Sequence, residues 1–253
     1  MERFVELLGL SAAMGLAIYL SLPVVLTKKT GSRSVTLLNA AAIGILVFLV
    51  ADVFADAATL LYTNPTNPYV ADPVQTVYFV AAAGGSFFLL YLVEHRSREA
   101  LSPARMALMI AAAIGIQNLT EGLVFGAFWA AGSVGLSTVV FVGFFLQNVT
   151  EGFPITSPFL ARSDFRLTSV ALIFLVGGLP TVVGGVGGYF YNSATIDLVF
   201  DALAIGSILY ALLPMLRIAM RPATPPETTY VRQRLLYAGV LVGFLVGFLV
   251  NAI

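Results

Sequence analysis

Glu121 and Glu151 stand in two copies of one hexapeptide, Gln117-Asn118-Leu119-Thr120-Glu121-Gly122 and Gln147-Asn148-Val149-Thr150-Glu151-Gly152, which differ only at Leu119/Val149. Each acid lies among apolar residues, roughly halfway through a stretch long enough to cross a bilayer, where a charge costs at least about 2.5–3.5 kcal/mol. In a helix, the Gln-to-Glu spacing of four and the Asn-to-Glu spacing of three stack three oxygen-bearing side chains on one face. The connection Ala131 to Val134 is so short that the two helices are antiparallel neighbours, which brings the faces together. Two carboxylates facing each other in low dielectric repel, so either one holds a proton or a cation sits between them. A divalent cation answers both charges. The amide carbonyls of Gln117, Asn118, Gln147 and Asn148 complete an oxygen-rich shell, and Gly122 and Gly152 permit close helix approach one residue later. The competing reading makes the amides hydrogen-bond glue around two protonated glutamates, but glue rarely needs acids.

The elements that position these groups follow from composition. The chain is 59% hydrophobic and 10% charged, whereas soluble proteins run at roughly 45–50% and about 25%. Water cannot be the solvent for most of this surface. Apolar stretches fall at about residues 4–27, 35–63, 74–95, 105–131, 134–158, 166–191, 196–217 and 231–252, each long enough to span. The expectation is an all-α integral membrane protein of eight transmembrane helices, a single transmembrane domain over residues 1–253. Met1 to Leu26 is apolar for too long to be a cleaved signal and reads as the first span. Asn64-Pro65-Thr66-Asn67-Pro68 and Pro222 to Tyr230 have the polar and proline content of connections outside the hydrocarbon.

Positive charge sets the orientation. Lys28, Lys29 and Arg33 lie in connection one, and Arg96, Arg98 and Arg105 in or beside connection three. Arg162 and Arg166 flank five, and Arg217, Arg221, Arg232 and Arg234 flank seven, while connections two, four and six have none. Because Lys/Arg excess stays cytoplasmic, both termini face outward across a cell membrane. The net charge of zero names no partner besides the bilayer, and no nucleic acid is expected. The absence of cysteine excludes disulfides, Fe–S clusters and thiolate zinc sites.

Other residues carry weaker signals. Asp52 and Asp56 share a face in the outer half of span two, and Asp197 and Asp201 repeat that spacing near the outer end of span seven. Asp52, Asp56 and Asp201 are expected to line an outer pathway that concentrates cations, with a solvated helix start the plain alternative for Asp197 and Asp201. Glu94 and His95 close span three at the cytoplasmic boundary and are candidates for an exit; a lone His there is more often simply interfacial. Pro154, Pro158, Pro180 and Pro214 can free helix carbonyls to shape a pathway, or simply kink. The Gly-rich run Gly177 to Gly188 suggests tight packing or a sliding surface, and lacks the adjacent Lys of a phosphate loop.

With these residues in place, the chain resembles the ZIP (Zrt/Irt-like) family of divalent metal transporters, whose spans four and five carry His-Asn-x-x-Glu-Gly and His-x-x-Pro-Glu-Gly. Eight spans, outward termini, the short four–five connection, Phe48-Leu49-Val50-Ala51-Asp52 and Gly178-Leu179-Pro180-Thr181 all look like that family. The resemblance implies inverted three-helix repeats flanking a central four–five pair, and alternating access by elevator-like or rocking motion. It places metal ligands at Gln117, Asn118, Glu121, Gln147, Asn148 and Glu151. Both motif histidines are Gln here, both residues before Glu are Thr, and no acid stands near Thr181 or Pro214, which puts a second metal site in doubt. Imidazole favours zinc, whereas amides and carboxylates shift preference toward manganese, magnesium or ferrous iron. The expected function is uptake of a divalent metal ion toward the cytoplasm, the metal being substrate, with no organic cofactor and no catalysis. Alternatives are a non-transporting metal-binding or sensor relative, an intramembrane metal-dependent enzyme, and, last, a transporter of organic cations. Gly-rich helix faces make a homodimer reasonable.

Overall fold

A computed structural model of the chain describes residues 2–26, 32–63, 67–96, 102–160, 165–191, 193–220 and 228–252. Among them, eight helices are long and apolar enough to cross a membrane. The first, Glu2–Ser21, opens with α1 (Glu2–Leu16), and the others lie on α2 (Ser32–Leu61), α3 (Pro73–His95), α4 (Pro103–Ala130), α5 (Val134–Thr156), α6 (Leu167–Phe190), α7 (Ala194–Ala219) and α8 (Thr228–Asn251). Seven of the eight apolar stretches read from the sequence coincide with one of these helices to within a few residues at the ends, and the first, 4–27, covers α1 and the short segments after it. The first span is not one regular helix: α1 tightens into a 3₁₀ segment, Ala17–Ser21, before a short helix at Pro23–Leu26. Lys28, Lys29, Arg98, Arg162 and Arg221, with Asn64, Pro65 and Thr66 and residues 221–227, lie outside the described residues.

Local chemistry starts the helices where it can. Asp72 caps α3 by accepting from the Val74 and Gln75 amides at 2.9 Å each, with Pro73 at the first helical position. Ser102 and Pro103 open α4 in the same way, the serine hydroxyl accepting from the Arg105 amide at 3.2 Å. Pro154, Pro180 and Pro214 lie inside helices and leave carbonyls one turn earlier without their usual donor.

The helices pack as two groups. In the first, α6 lies against α4 and α1, and α5 covers α4 and the end of the first span. In the second, α2 pairs with α8 and with α7, and α3 pairs with α7. Glycine brings backbones together at four of these pairings. A Cβ on Gly126 would strike the Gly185 carbonyl, one on Gly178 that of Gly15, one on Gly243 that of Ala41, and one on Gly206 that of Ala83. In lipid, such close approach replaces the hydrophobic effect as the source of helix association. The groups meet where α4 touches α7, α5 touches α2, and α8 touches α5. Ile18, Leu46, Ile110, Ile114, Ile155, Phe174 and Ile208 form a shared buried core. The repeated hexapeptides lie beside this core, on α4 and α5.

Candidate metal centre

The turn Ala131 to Ser133, with Gly132 at φ 74°, reverses the chain between α4 and α5 and sets their polar faces together. Gln117, Asn118, Glu121, Gln147, Asn148 and Glu151 are all buried, none more than 6% exposed. Their hydrogen bonds run mainly to Glu121. Its Oε1 accepts from Gln117 Nε2 at 3.1 Å and Gln147 Nε2 at 2.7 Å, and its Oε2 from Asn148 Nδ2 at 3.4 Å. Gln147 Nε2 also lies 3.3 Å from Glu151 Oε1, so one amide nitrogen bridges the two carboxylates. Asn118 Nδ2 donates to Asn148 Oδ1 at 2.8 Å and to the Gly177 carbonyl of α6 at 2.9 Å. The structure thus brings together all six residues singled out by the repeat.

The donors are spent and the acceptors are not. Gln117 Oε1, Asn118 Oδ1, Gln147 Oε1 and Glu151 Oε2 are buried and accept no hydrogen bond. Buried polar atoms are paired in the great majority of cases, because an unpaired one costs roughly 1–3 kcal/mol. Four unpaired oxygens on six adjacent side chains fit a bound cation, and their chemistry, three amide carbonyls and a carboxylate, suits a hard divalent ion. Among the described residues no three His, Cys, Asp or Glu side chains gather as a metal cluster. The centre differs from such clusters because four of its six groups are amides.

Gly122 and Gly152 admit neighbours other than each other. A Cβ on Gly122 would collide with the Thr181 carbonyl of α6, and one on Gly152 with Ser21 and the Ile18 carbonyl at the end of the first span. The motif glycines therefore clamp α4 to α6 and α5 to the α1 extension, fixing the acids from behind. The hydroxyls of Thr120 and Thr150 turn back to their own helices, onto the Ile116 carbonyl at 3.4 Å and the Gln147 carbonyl at 2.7 Å.

The remaining candidates separate. Asp201 is 3% exposed and neighbours Thr120, while Asp197 is half-buried in the first turn of α7. Burial of Asp201 sets aside the plain reading of a solvated helix start for that residue. Asp52 accepts from Asn251 Nδ2 of α8 at 2.5 Å, and Asp56 is exposed. Asp52 and Asp56 lie on α2 and Asp201 on α7, two helices that pack against each other. Glu94 receives a hydrogen bond from the Tyr210 hydroxyl of α7. His95 is exposed, stacked on Tyr91 at 4.0 Å with Nδ1 2.9 Å from the Tyr91 carbonyl. No contact among the described residues joins either to the centre. The sequence did not single out the Gly177 carbonyl, Asn251 or Tyr210. Asn251 had a signal, as an amide at the end of an apolar run, but a backbone carbonyl has none.

Eight apolar helices around a buried polar centre define an all-α, multi-pass membrane protein. No protein-family model matches the chain, and neither does any curated protein.

Proposed function

We propose that this protein is a divalent metal transporter of the ZIP type, moving its cation toward the cytoplasm through a site between α4 and α5. The observation that carries the reading is the set of four buried, unpaired oxygens beside Glu121 and Glu151. The acids supply the charge that a dehydrated divalent ion requires, and the amides supply neutral oxygens. Amide N–H groups that now hold Glu121 are released when the carboxylate turns to metal. Asp52, Asp56 and Asp201 form the outer approach, concentrating cations before dehydration. The arginines beside the odd-numbered connections support a release side in the cytoplasm, with both termini outside.

The packing supports inverted repeats. Exchanging α1 with α6, α2 with α7, α3 with α8 and α4 with α5 maps the α2–α8 pairing onto α7–α3 and the α4–α7 contact onto α5–α2. It also maps the Gly122 contact with α6 onto the Gly152 contact with the first span. An alternating-access transporter built from two such halves carries its site where they meet. An enzyme would want a nucleophile, and the nearby threonine hydroxyls are engaged with backbone.

The test is flux. Purified protein in liposomes is supplied with manganese, ferrous iron, cobalt, zinc and cadmium in parallel, beside the double variant Glu121→Gln/Glu151→Gln. Saturable flux lost in the variant is the expected result. Folded protein that passes no ion would overturn transport and leave a binding or sensing role.

A further inference from the structure

At the end of the bundle where the α4–α5 turn meets α1, a cavity of about 250 Å³ is lined by Arg3, Glu6, Trp129, Gly132, Val134 and Ser137. Trp129 is fixed as its wall, since the indole Nε1 donates to the Arg3 carbonyl at 2.8 Å. The Arg3 guanidinium leans over the turn, such that a Cβ on Gly132 would lie 3.5 Å from Nη1. Here it lies by the N-terminus of α5, where the Val134 amide turns back to the Gly132 carbonyl at 3.0 Å and the cap residue, Ser133, makes no side-chain bond to the amides that follow. A helix N-terminus carries about half a positive charge. Two positive features therefore face one cavity, and among the described residues no carboxylate pairs with the guanidinium. Glu6 lies one turn further along α1, about 4.5 Å by helical rise, and likewise has no ion-pair partner among the described residues.

We propose that this cavity binds the headgroup of a zwitterionic phospholipid carrying a primary ammonium. Its phosphate sits between Arg3 and the α5 amides, and its ammonium on Glu6. Charge complementarity selects this occupant: an anionic headgroup without an amine leaves Glu6 opposed, and a quaternary ammonium cannot donate to it. A single indole is also not the aromatic cage that quaternary ammonium groups prefer. The location is a membrane–water boundary, where tryptophan is enriched. Along the same two helices Val5, Leu136 and Val139 are exposed and offer apolar surface to an acyl chain.

Trp129 is the only tryptophan in the chain, so its emission reports this cavity. The full-length protein in detergent is titrated with short-chain phospholipids bearing ethanolamine, choline or glycerol headgroups, and with soluble phosphoethanolamine. Lipid retention is read in parallel by native mass spectrometry. The ethanolamine lipid is expected to saturate the signal at roughly tenfold lower concentration than the others. Arg3→Gln is expected to weaken all phospholipids by about tenfold, and Glu6→Gln to erase the preference for ethanolamine over glycerol while leaving glycerol-lipid binding. Both positions are exposed, so these variants keep the fold. Equal response to every headgroup, or variants indistinguishable from the parent, would overturn the assignment, as would neither signal nor retained lipid. Soluble phosphoethanolamine binding as tightly as the lipid would also overturn it, making the ligand a free phosphoamine.

Discussion

Asn118 and Asn148 hold the same position in the two copies of the hexapeptide, and they bond to each other, Nδ2 of the first to Oδ1 of the second at 2.8 Å. Each has a further backbone acceptor, Gly177 on α6 for Asn118 and Phe144 on its own helix for Asn148. The asparagines thus stitch α4, α5 and α6 at the depth of the acids. Asn118→Ala leaves the buried Asn148 Oδ1 without its donor, at about 1–3 kcal/mol, and removes the tie to the Gly177 carbonyl of α6. The expected outcome is a clearly lower unfolding temperature in detergent. Because the two residues share a bond, Asn118→Ala/Asn148→Ala should cost less than the sum of the single variants. Strict additivity would show that the pair is not coupled.

Glu121 and Glu151 should respond differently to the same conservative change. Glu121 accepts three amide N–H groups, whereas Glu151 accepts one and leaves Oε2 unpaired. Glu151→Gln removes charge while giving up little, and is expected to leave thermal stability nearly unchanged. Glu121→Gln sets a new N–H₂ among existing donors and gives up amide hydrogen bonds worth roughly 0.5–1.5 kcal/mol each. It should destabilise the empty protein, while both variants lose metal binding by calorimetry. Near-normal metal binding by Glu151→Gln would remove the proposed site.

The spans and the six central residues were legible for one reason: polar groups inside hydrocarbon are costly, so their pattern against apolar runs is sharp. Glu121 and Glu151 showed doubly, by isolation and by repetition. What could not be read depends on three-dimensional placement. The Gly177 carbonyl that holds Asn118 belongs to a backbone with no residue-type signature. The glycines after each acid announced close packing, but their partners, Thr181 and the Ile18–Ser21 segment, lie far away in sequence. The acid pairs on α2 and α7 looked alike, yet Asp56 is exposed and Asp201 buried, because α7 sits against α4 while that end of α2 turns Ala57 and Leu61, not Asp56, toward α7.

The clamping glycines supply a packing test with an internal control. A Cβ on Gly152 would overlap Ser21 and the Ile18 carbonyl, whereas one on Gly143 meets nothing within 4 Å. Gly143→Ala is expected to be neutral. Gly152→Ala must push α5 from the first span, at about 1–3 kcal/mol for overpacking, and should also shift Glu151 and weaken metal binding. Equal thermal stability of the two variants would contradict the packing described.

Asp52 is held by Asn251 of α8 and is not one of the six residues of the centre. If it concentrates cations, Asp52→Asn should raise the half-saturation concentration severalfold at low ionic strength and leave the maximal rate nearly unchanged. The difference should shrink as salt screens the field, since the screening length falls to about 10 Å at 0.1 M. An unchanged half-saturation concentration at low salt would remove Asp52 from the approach. A collapse of the maximal rate would instead move it into the site.

The amides at 117 and 147 are the natural place to change selectivity. Both side chains are buried, both direct Nε2 toward Glu121, and both leave Oε1 unpaired. An amide oxygen is a hard, neutral donor, so the proposed site is expected to prefer manganese, magnesium or ferrous iron to zinc. Histidine in either place offers a softer nitrogen, which suits zinc and its neighbours. Its ring is comparable in reach, and its second nitrogen can still donate to Glu121, so the substitution replaces the ligand atom without emptying the space. Gln117→His and Gln147→His are therefore expected to raise zinc affinity relative to manganese by tenfold or more, measured as a ratio within each protein so that differences in expression or folding cancel. Gln147 reaches both carboxylates where Gln117 reaches one, so the larger change should follow substitution at 147. A ratio unmoved by both substitutions, in protein that still binds metal, would place the cation away from these amides.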